Sequence, residues 1–483
     1  MEKLNIDCLV LIFNELCKDN KSLYSCLLVN KEWCHLVVPI LWNNYPSYFI
    51  NVESREKFFN IIISCLSPSS KQLLFDNNIR LSQTILSKTP TFNYISLCKF
   101  FNGEILTCIM RMVFKEEFLI KVDSKKVYLF LREMYKLFIS QCKGIKTFVW
   151  DTYEPLLSFP GALTFFSQLY SLKINLWFID SNSLYRMSQI CNDLGELIIE
   201  NCSQDIPGLI SLIDAQRNLK IVSLEFKIMD GSCEELGTCE ELSKALARRG
   251  CTINNLSLHD SVDVIPHSFL TSLVSLKYLG IYYDCESYER NIEFQKYLAI
   301  SKFPDLQSLE IKDDLLCFKK LAMLIEKTKG NISNIYVETC NESAENTGML
   351  LNAISNHCPR IENLVTYLGP NDLIYVKLLL MNCRNLVCLN LFGLNENSDI
   401  GDKLLDILIK FSPKCLIDIL ISGYWKYSID VFVNFFESYR GRKFCFNISD
   451  VIEYITKEHL NVVKYYFDEG IVTYSNLLNY IKL

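Results

Sequence analysis

A short apolar pattern recurs along most of this chain and limits the folds that the chain can adopt. Two variable residues separate the first apolar position from the second, and one variable residue separates the second from the third. Eleven copies lie between Ile145 and Ile421, at intervals of 23 to 32 residues. A period of this length predicts stacked repeats, in which each unit buries its apolar side chains against its neighbours. The copies are Ile145-Phe148-Trp150, Leu169-Leu172-Ile174, Leu194-Leu197-Ile199, Ile221-Leu224-Phe226, Ile253-Leu256-Leu258, Leu276-Leu279-Ile281, Leu306-Leu309-Ile311, Ile332-Ile335-Val337, the degraded Ile361-Leu364-Thr366, Leu386-Leu389-Leu391 and Leu416-Ile419-Ile421.

The segments between the copies have the periodicity and the end signals of helices. The clearest begins at Thr238, which forms a capping box with Glu241, and it ends at Gly250 after two arginines. Other predicted helices are 317–329, 346–358, 398–412 and 428–440. Alternation of short strands and helices at this period predicts a right-handed stack of β–α units. A doubly wound sheet is the alternative, but it needs fewer strands, longer apolar runs and more glycine-rich turns than the 17 glycines provide.

The repeats resemble the leucine-rich repeat family, specifically its cysteine-containing subclass. The pattern of that subclass ends in a cysteine at the ninth position, where this chain has Cys202 and Cys340. Most other units depart from it, with Asp284, Leu394 and Tyr424 at or near that place. The resemblance covers residues 142–445 and implies a curved parallel sheet with helices on its outer side.

The first 45 residues predict three short amphipathic helices. Asn5 can cap the first helix, the second begins after Asp19 or Asn20, and Asn30 can cap a third that ends before Pro39. So few residues make a poor independent core. Because the apolar residues exceed what three short helices can cover, we expect part of this surface to contact a partner.

This segment resembles an F-box over its whole length. The family's positions are held here, in order, by Leu4, Leu9, Ile12, Phe13, Leu23, Val29, Trp33, Leu41 and Trp42. Asn5 stands where the family usually has proline, which implies weaker adaptor binding. The alternative is a plain helical cap for the repeats. The resemblance implies binding to the Skp-type adaptor of a cullin–RING ubiquitin ligase, through Leu4, Asn5, Leu9, Ile12, Phe13, Leu16, Leu23, Leu27 and Trp33.

The two resemblances together imply the substrate-recognition subunit of an SCF-type ubiquitin ligase, with the repeats holding the substrate protein. The fold class is then an α/β leucine-rich-repeat solenoid preceded by an all-α F-box and a helical linker. The expected domains are residues 1–45 (F-box), 46–141 (helical linking region), 142–445 (repeats) and 446–483 (C-terminal cap). A non-degradative interaction scaffold, which uses both regions without ubiquitin transfer, is the alternative function.

Within the linking region, residues 55–66 and 127–140 predict helices, and residues 66–72 predict a turn.

Composition argues against several other functions. The net charge of −6 gives no overall basic field for nucleic acid or an anionic membrane. The five histidines are isolated and the 21 cysteines contain no CxxC pair, so no metal or other cofactor is expected. No nucleotide-binding or hydrolase motif occurs, so catalysis within this chain is not expected. The N-terminus lacks signal-peptide features, and no segment resembles a spanning helix, which favours a cytoplasmic or nuclear protein with reduced cysteines.

Alternate strand residues define a second candidate binding surface. In each repeat, side chains of the third, fifth and seventh pattern positions should project from the strand toward the concave side. The later repeats place exposed aromatic residues with polar neighbours there, as in a protein-binding hot spot. Lateral packing of these rings along the sheet is the alternative. The predicted substrate-binding residues are Tyr278, Tyr282, Glu310, Lys312, Tyr336, Glu338, Tyr367 and Phe392.

Overall fold

The computed structural model describes residues 4–43, 52–81, 90–99, 101, 103–114, 124–226, 238–261, 264–283, 292–312, 317–339, 346–394, 400–449 and 454–480. The chain divides into two compact units: residues 1–199 with 207–218, and residues 200–206 with 219–483. Cys340 and Asp284, which bear on the cysteine-containing repeat pattern, lie outside the described residues.

Helices dominate the first part of the first unit. Its three N-terminal helices are α1 (Ile6–Glu15), α2 (Asn20–Leu27) and α3 (Lys31–Asn43). The helices that follow are α4 (Val52–Ser64), α5 (Pro68–Asp76), α6 (Tyr94–Leu97), α7 (Gly103–Phe114) and α8 (Ser124–Gln141). The region that the sequence predicted as a helical link therefore contains five described helices.

The predicted turn at residues 66–72 is wrong: it is the start of a helix. Ser67 is the N-cap of α5, and its hydroxyl accepts the amide N–H of Ser70 at 3.1 Å. Pro68 occupies the first helical position, where proline costs no hydrogen bond and already has a helical φ angle. The Ser-Pro pair thus marks a helix start and not only a turn.

Parallel strands and short helices complete the first unit. They are β1 (Thr147–Trp150), α9 (Ala162–Phe166), β2 (Ser171–Asn175), α10 (Ser181–Ile190), β3 (Glu196–Cys202), whose last residues belong to the second unit, and α11 (Pro207–Ala215). β1 pairs with β2 in parallel, with Phe148 opposite Leu172 and Trp150 opposite Ile174. These four side chains are buried, so the repeated apolar positions face the core as predicted.

The second unit repeats the same arrangement. Its elements are β4 (Ile221–Phe226), α12 (Glu240–Arg248), β5 (Asn255–His259), a 3₁₀ helix (His267–Ser272), β6 (Tyr278–Tyr282), α13 (Ile292–Ile300), β7 (Ser308–Lys312), α14 (Phe318–Ile325), β8 (Asn334–Glu338), α15 (Thr347–His357), β9 (Asn363–Leu368), α16 (Leu373–Asn382), β10 (Cys388–Gly393), α17 (Gly401–Phe411), β11 (Asp418–Ser422), α18 (Ile429–Ser438), β12 (Phe444–Ser449), α19 (Lys457–Asp468) and β13 (Val472–Tyr474). Within this unit β4 to β13 are hydrogen-bonded in chain order.

The register of the second unit aligns equivalent positions of successive repeats. Leu256 lies opposite Leu279, which in turn lies opposite Leu309, and all three side chains are fully buried. One repeat cannot cover these side chains, but stacked repeats share them as a continuous core. The second unit is therefore an α/β repeat solenoid with parallel strands and helical connections, and the predicted class of fold is confirmed at that level.

The repeats extend beyond the boundary predicted at residue 445. β12 pairs with β11, and after α19 the short strand β13 pairs with β12. Phe444, Phe446 and Ile448 alternate along β12 and are buried like the strand residues of other repeats. Lys443 stands at the first pattern position, where the other repeats have an apolar residue, so the apolar pattern did not reveal this copy. The described residues between 446 and 480 thus continue the repeat array through β12, α19 and β13.

Helix α12 has a different cap from the one that its sequence predicts. Its N-cap residue is Cys239, and the predicted capping box of Thr238 and Glu241 is not formed. Instead the carboxylate of Asp205 accepts the amide N–H groups of Glu241 and Leu242, at 2.8 and 2.9 Å. A carboxylate at a helix N-terminus satisfies free donors and suits the helix dipole, so a residue 36 positions away in sequence replaces the local cap.

We expect Asp205→Ala to lower the free energy of unfolding by about 1–2 kcal/mol, because two amide donors of α12 lose their acceptor. Thr238→Ala, which removes the residue that the sequence alone suggests as the cap, is the matched control and should change it by less than about 0.5 kcal/mol. Chemical denaturation of both variants measures the difference. A larger effect at Thr238 than at Asp205 would contradict the observed cap.

In the part of the chain that the structure describes, no helix combines the length and apolar character needed to cross a membrane.

Candidate partner-binding surfaces

The N-terminal helices begin as their sequence predicts. The side chain of Asn5 accepts a hydrogen bond from the amide N–H of Asp7 at 3.3 Å. The side chain of Asp19 accepts one from the amide N–H of Ser22 at 3.2 Å, and the side chain of Asn30 accepts one from the amide N–H of Trp33 at 2.9 Å. Each acceptor satisfies a donor that the first helical turn leaves free. Asn5 therefore gives α1 a capped start.

The predicted end of the third helix is wrong. α3 continues through Pro39 to Asn43. This extension buries Ile40 and brings the ring of Trp42 to 4.7 Å from that of Phe58 and 4.6 Å from that of Tyr94. Packing of these side chains offsets the backbone hydrogen bond that proline cannot make. Trp42 thus joins the N-terminal helices to α4 and α6 of the same unit.

The N-terminal helices have a core of their own. It consists of Leu9, Phe13, Leu23, Val37 and Ile40. The rings of Phe13 and Trp33 meet edge to face with centroids 5.0 Å apart. Leu16, Leu27 and Trp33 pack against this core and are partly covered. Of the nine predicted adaptor contacts, Leu9, Phe13 and Leu23 are therefore interior side chains that hold the three helices together.

The remaining predicted contacts lie at the surface. Leu4 is 60% exposed and Ile12 is 45% exposed, and Asn5 is exposed at the helix start. Cys8, Leu11 and Ile12 lie on α1 away from the buried side that carries Leu9 and Phe13, Leu4 directly precedes the N-cap residue Asn5, and all four are exposed. We call these four residues the apolar stripe.

Sequence reasoning missed most of the exposed apolar side chains of this region. Leu11 is 67% exposed in α1 and Tyr24 is 60% exposed in α2, and Leu28 and Val29, which follow α2, are 88% and 56% exposed. Apolar residues on two opposite sides of α1 were the available signal, because a helix with a single buried side should be polar on the other. Clustered exposed apolar residues commonly mark protein-binding sites.

The second surface lies on the strands of the second unit. Strand residues alternate, so that one set of side chains is buried and the other is half-buried or exposed. We call the second set, on β4 to β12, the open face. All eight predicted substrate-binding residues belong to it: Tyr278, Tyr282, Glu310, Lys312, Tyr336, Glu338, Tyr367 and Phe392.

Pairing of the strands aligns these residues, apart from Tyr278, in two rows. Gly280, Glu310, Tyr336 and Val365 lie opposite one another on consecutive strands, and Tyr282 lies opposite Lys312, which lies opposite Glu338. Tyr367 lies opposite Phe392, with ring centroids 5.6 Å apart. The predicted juxtaposition of aromatic and charged residues is therefore present, and lateral packing of rings along the sheet occurs as well.

Tyr278, Tyr282 and Glu310 form a hydrogen-bonded group, which we call the tyrosine–glutamate cluster. Both tyrosine hydroxyls donate to Oε2 of Glu310, at 3.0 Å from Tyr278 and 2.6 Å from Tyr282, and the two hydroxyl oxygens lie 2.7 Å apart. Burial, followed by the bond to the carboxylate, raises the pKa of Tyr282, and burial also raises the pKa of Tyr278. Both hydroxyls therefore remain protonated donors at neutral pH.

A second tyrosine–carboxylate pair lies on β8, the strand next to that of Glu310. The Tyr336 hydroxyl donates to Oε2 of Glu338 at 2.6 Å, and Lys312 Nζ lies 3.6 Å from Oε1 of the same carboxylate. The bond to Glu338 raises the pKa of Tyr336 to about 12. Tyr336 is 38% exposed, so its ring is accessible while its hydroxyl is held.

Tyr367 has a different role from the other predicted tyrosines. Its hydroxyl donates to the carbonyl oxygen of Thr339 at 2.6 Å and accepts the amide N–H of the same residue at 3.0 Å. This pair of bonds holds the backbone that follows β8 against β9. Tyr367 is thus partly a structural residue, and Tyr278, Tyr282 and Tyr336 are the stronger candidates for partner contact.

His259 is an open-face residue that sequence reasoning did not include. Its ring stacks on that of Tyr282 at 4.6 Å, with an interplanar angle of 16°. Its position in the repeat pattern was the available sequence signal for this surface, since His259 alternates with Asn255 and Ser257 on one side of β5. His259 extends the aromatic part of the open face by one strand, since it lies opposite Tyr282.

The described residues contain no group of three or more His, Cys, Asp or Glu side chains arranged to hold a metal ion.

Comparisons with known proteins give little further information. No family model matches the chain, and no curated protein matches it. A solved structure to which it is similar is the leucine-rich repeat-containing protein LegL7 from Legionella pneumophila, at 13% identity. The match covers 68% of this chain and 92% of the other, with a TM-score of 0.29. The assignment to the α/β repeat class therefore depends on the strand order, register and burial of this chain itself.

Proposed function

We propose that the chain is the substrate-recognition subunit of an SCF-type ubiquitin ligase in the cytoplasm or nucleus. In this proposal the N-terminal helices act as an F-box that binds a Skp-type adaptor, and the open face binds the substrate protein. Catalysis belongs to other subunits, and this chain contributes proximity between the substrate and the ubiquitin-loaded enzyme. The proposal is supported by the order of the two regions and by the F-box-like residues of the first.

The observation that carries the proposal is the exposed apolar surface around a completed core. Leu9, Phe13 and Leu23 fill the interior of the N-terminal helices. Leu11 and Leu28 nevertheless remain 67% and 88% exposed. Contact of large apolar side chains with water is unfavourable. A partner that covers these leucines therefore lowers the free energy of the system.

We expect the double substitution Leu11→Glu and Ile12→Glu to abolish capture of a purified Skp-type adaptor by the full-length chain. Two carboxylates in the apolar stripe would have to lose water in a complex without gaining partners, which should weaken binding by at least about 100-fold. Capture on immobilised adaptor, followed by titration, measures this loss. Leu163→Glu is the matched control, because Leu163 is 68% exposed on α9 and lies outside the N-terminal helices.

Failure of the wild-type chain to bind the adaptor, or equal binding by the double variant, would contradict the proposal. Co-capture of a cullin–RING ligase, with ubiquitin transfer to a bound protein, distinguishes a ligase receptor from an interaction scaffold. A complex that contains the cullin but never transfers ubiquitin would favour the scaffold.

A further inference from the structure

The open face carries more negative than positive charge. The described strand residues of this face on β4 to β12 include the carboxylates Glu225, Glu310, Glu338 and Asp418, but only one lysine, Lys312. Acidic and basic side chains are otherwise almost balanced, with 55 and 49 over the whole sequence. The excess of carboxylates on this face therefore favours a partner that presents positive charge.

The single lysine compensates one carboxylate and not the neighbouring one. Lys312 is paired with Glu338. The hydrogen-bond partners of Glu310 are the two neutral hydroxyls of Tyr278 and Tyr282, and among the described residues no cation forms an ion pair with it. Neutral donors hold the carboxylate in place but leave its charge uncompensated.

Aromatic rings border Glu310 on both sides. Tyr278 and Tyr282 come from β6, and Tyr336 lies directly opposite Glu310 on β8. The two tyrosines of β6 converge because Gly280 separates them: a Cβ atom at that position would lie 2.8 Å from the Tyr278 hydroxyl oxygen and 2.8 Å from Cε2 of Tyr282. Glycine at this position therefore permits the cluster.

A carboxylate bordered by aromatic rings suits an organic cation. An ammonium or guanidinium group gains electrostatic attraction from the carboxylate and cation–π attraction from tyrosine faces. An anionic or purely apolar ligand would gain neither and would still remove water from Glu310.

We propose that the tyrosine–glutamate cluster binds an arginine or lysine side chain of the partner protein, with the cation placed over Glu310 and against the ring of Tyr336. The partner is accordingly a protein that presents a basic segment. This inference rests on the proposed function, since it specifies the chemical class of the substrate that the open face receives.

The test measures binding of short peptides to the full-length chain alone, without adaptor, at physiological ionic strength. One peptide alternates glycine with arginine, and its neutral counterpart has citrulline in place of arginine; a lysine peptide and its acetyl-lysine counterpart form a second pair. We expect at least one charged peptide to bind roughly tenfold more tightly than its neutral counterpart. Glu310→Gln should remove this difference, because glutamine keeps the shape and loses the charge.

Two further variants make the test specific. Glu225→Gln removes a carboxylate from the same face, on β4, which is separated from Tyr282 by β5, and it should retain the preference for the charged peptide. Gly280→Ala keeps every charge but displaces the tyrosines, and it should weaken binding of the charged peptide. Equal binding of charged and neutral peptides, or equal losses in Glu225→Gln and Glu310→Gln, would overturn the inference. Because no ligase subunit is present, this result is independent of adaptor capture, which tests the proposed function.

Discussion

Replacement of Gln216 by leucine is expected to lower the free energy of unfolding by about 3–6 kcal/mol. Gln216 is fully buried in the first unit. Its Oε1 accepts the amide N–H of Leu194 at 2.9 Å, and its Nε2 donates to the carbonyl oxygens of Cys191 and Leu212 at 2.8 and 2.7 Å. Leucine has a similar size but leaves these three backbone groups without partners in a region that excludes water.

Thermal and chemical denaturation of Gln216→Leu measure this loss. Gln189→Leu is the matched control, because Gln189 is exposed on α10 and its side chain donates a hydrogen bond to the neighbouring Ser188. The control should change stability by less than about 0.5 kcal/mol. Similar stabilities for the two variants would show that Gln216 does not connect α11 to the segment before β3 as the hydrogen bonds indicate.

Substitution of Phe13 by alanine is expected to unfold the N-terminal helices. Removal of a buried phenylalanine costs about 3–5 kcal/mol. Three short helices with five buried core residues have little stability to lose. Ile12→Ala should cost less than about 1 kcal/mol, since Ile12 is the adjacent residue on α1 and is 45% exposed.

Hydrogen exchange measured on peptides from the N-terminal helices distinguishes the two variants. We expect Phe13→Ala to abolish protection there while the strands β5 to β10 keep theirs, and Ile12→Ala to leave both regions protected. Equal protection in the two variants would contradict the division between core and apolar stripe. The same result explains why adaptor binding is tested at Leu11 and Ile12, since a change at Phe13 would act through unfolding.

The sequence predicted the repeats because their burial is periodic and local. Each copy of the pattern places apolar residues at alternate strand positions, and these residues are buried except for Ile221, with the polar Thr366 also buried in the degraded copy. The fourth copy was placed two residues too late, because the register aligns Val222 with Leu256 and Leu224 with Leu258. The helix starts at Asn5, Asp19 and Asn30 were equally predictable from the sequence, because an N-cap residue and the amide that donates to it lie within three residues of each other.

Features that join distant residues were not predictable in this way. The cap of α12 comes from Asp205, and the buried partners of Gln216 lie up to 25 residues away in sequence. The repeat of β12 was not recognised in the sequence, because Lys443 occupies its first pattern position. Helix α3 extends past Pro39, where Trp42 packs against Phe58. In each case tertiary contacts outweigh a local preference.

The candidate surfaces show the same division. The pattern alone placed Tyr278, Tyr282 and Glu310 on one side of neighbouring strands, because side-chain direction alternates with a period of two. Only the folded chain shows that both hydroxyls are bonded to one carboxylate and that Leu9 and Phe13 face inward.

By itself, then, the sequence determined the repeat architecture, the helical N-terminus and the residues that share the open face, since these follow from short-range periodicity. The tertiary structure decided which of those residues are buried, which are bonded to each other and which remain for a partner. The reason is physical: burial and hydrogen bonding depend on groups brought together by folding, and no local pattern specifies which groups those are.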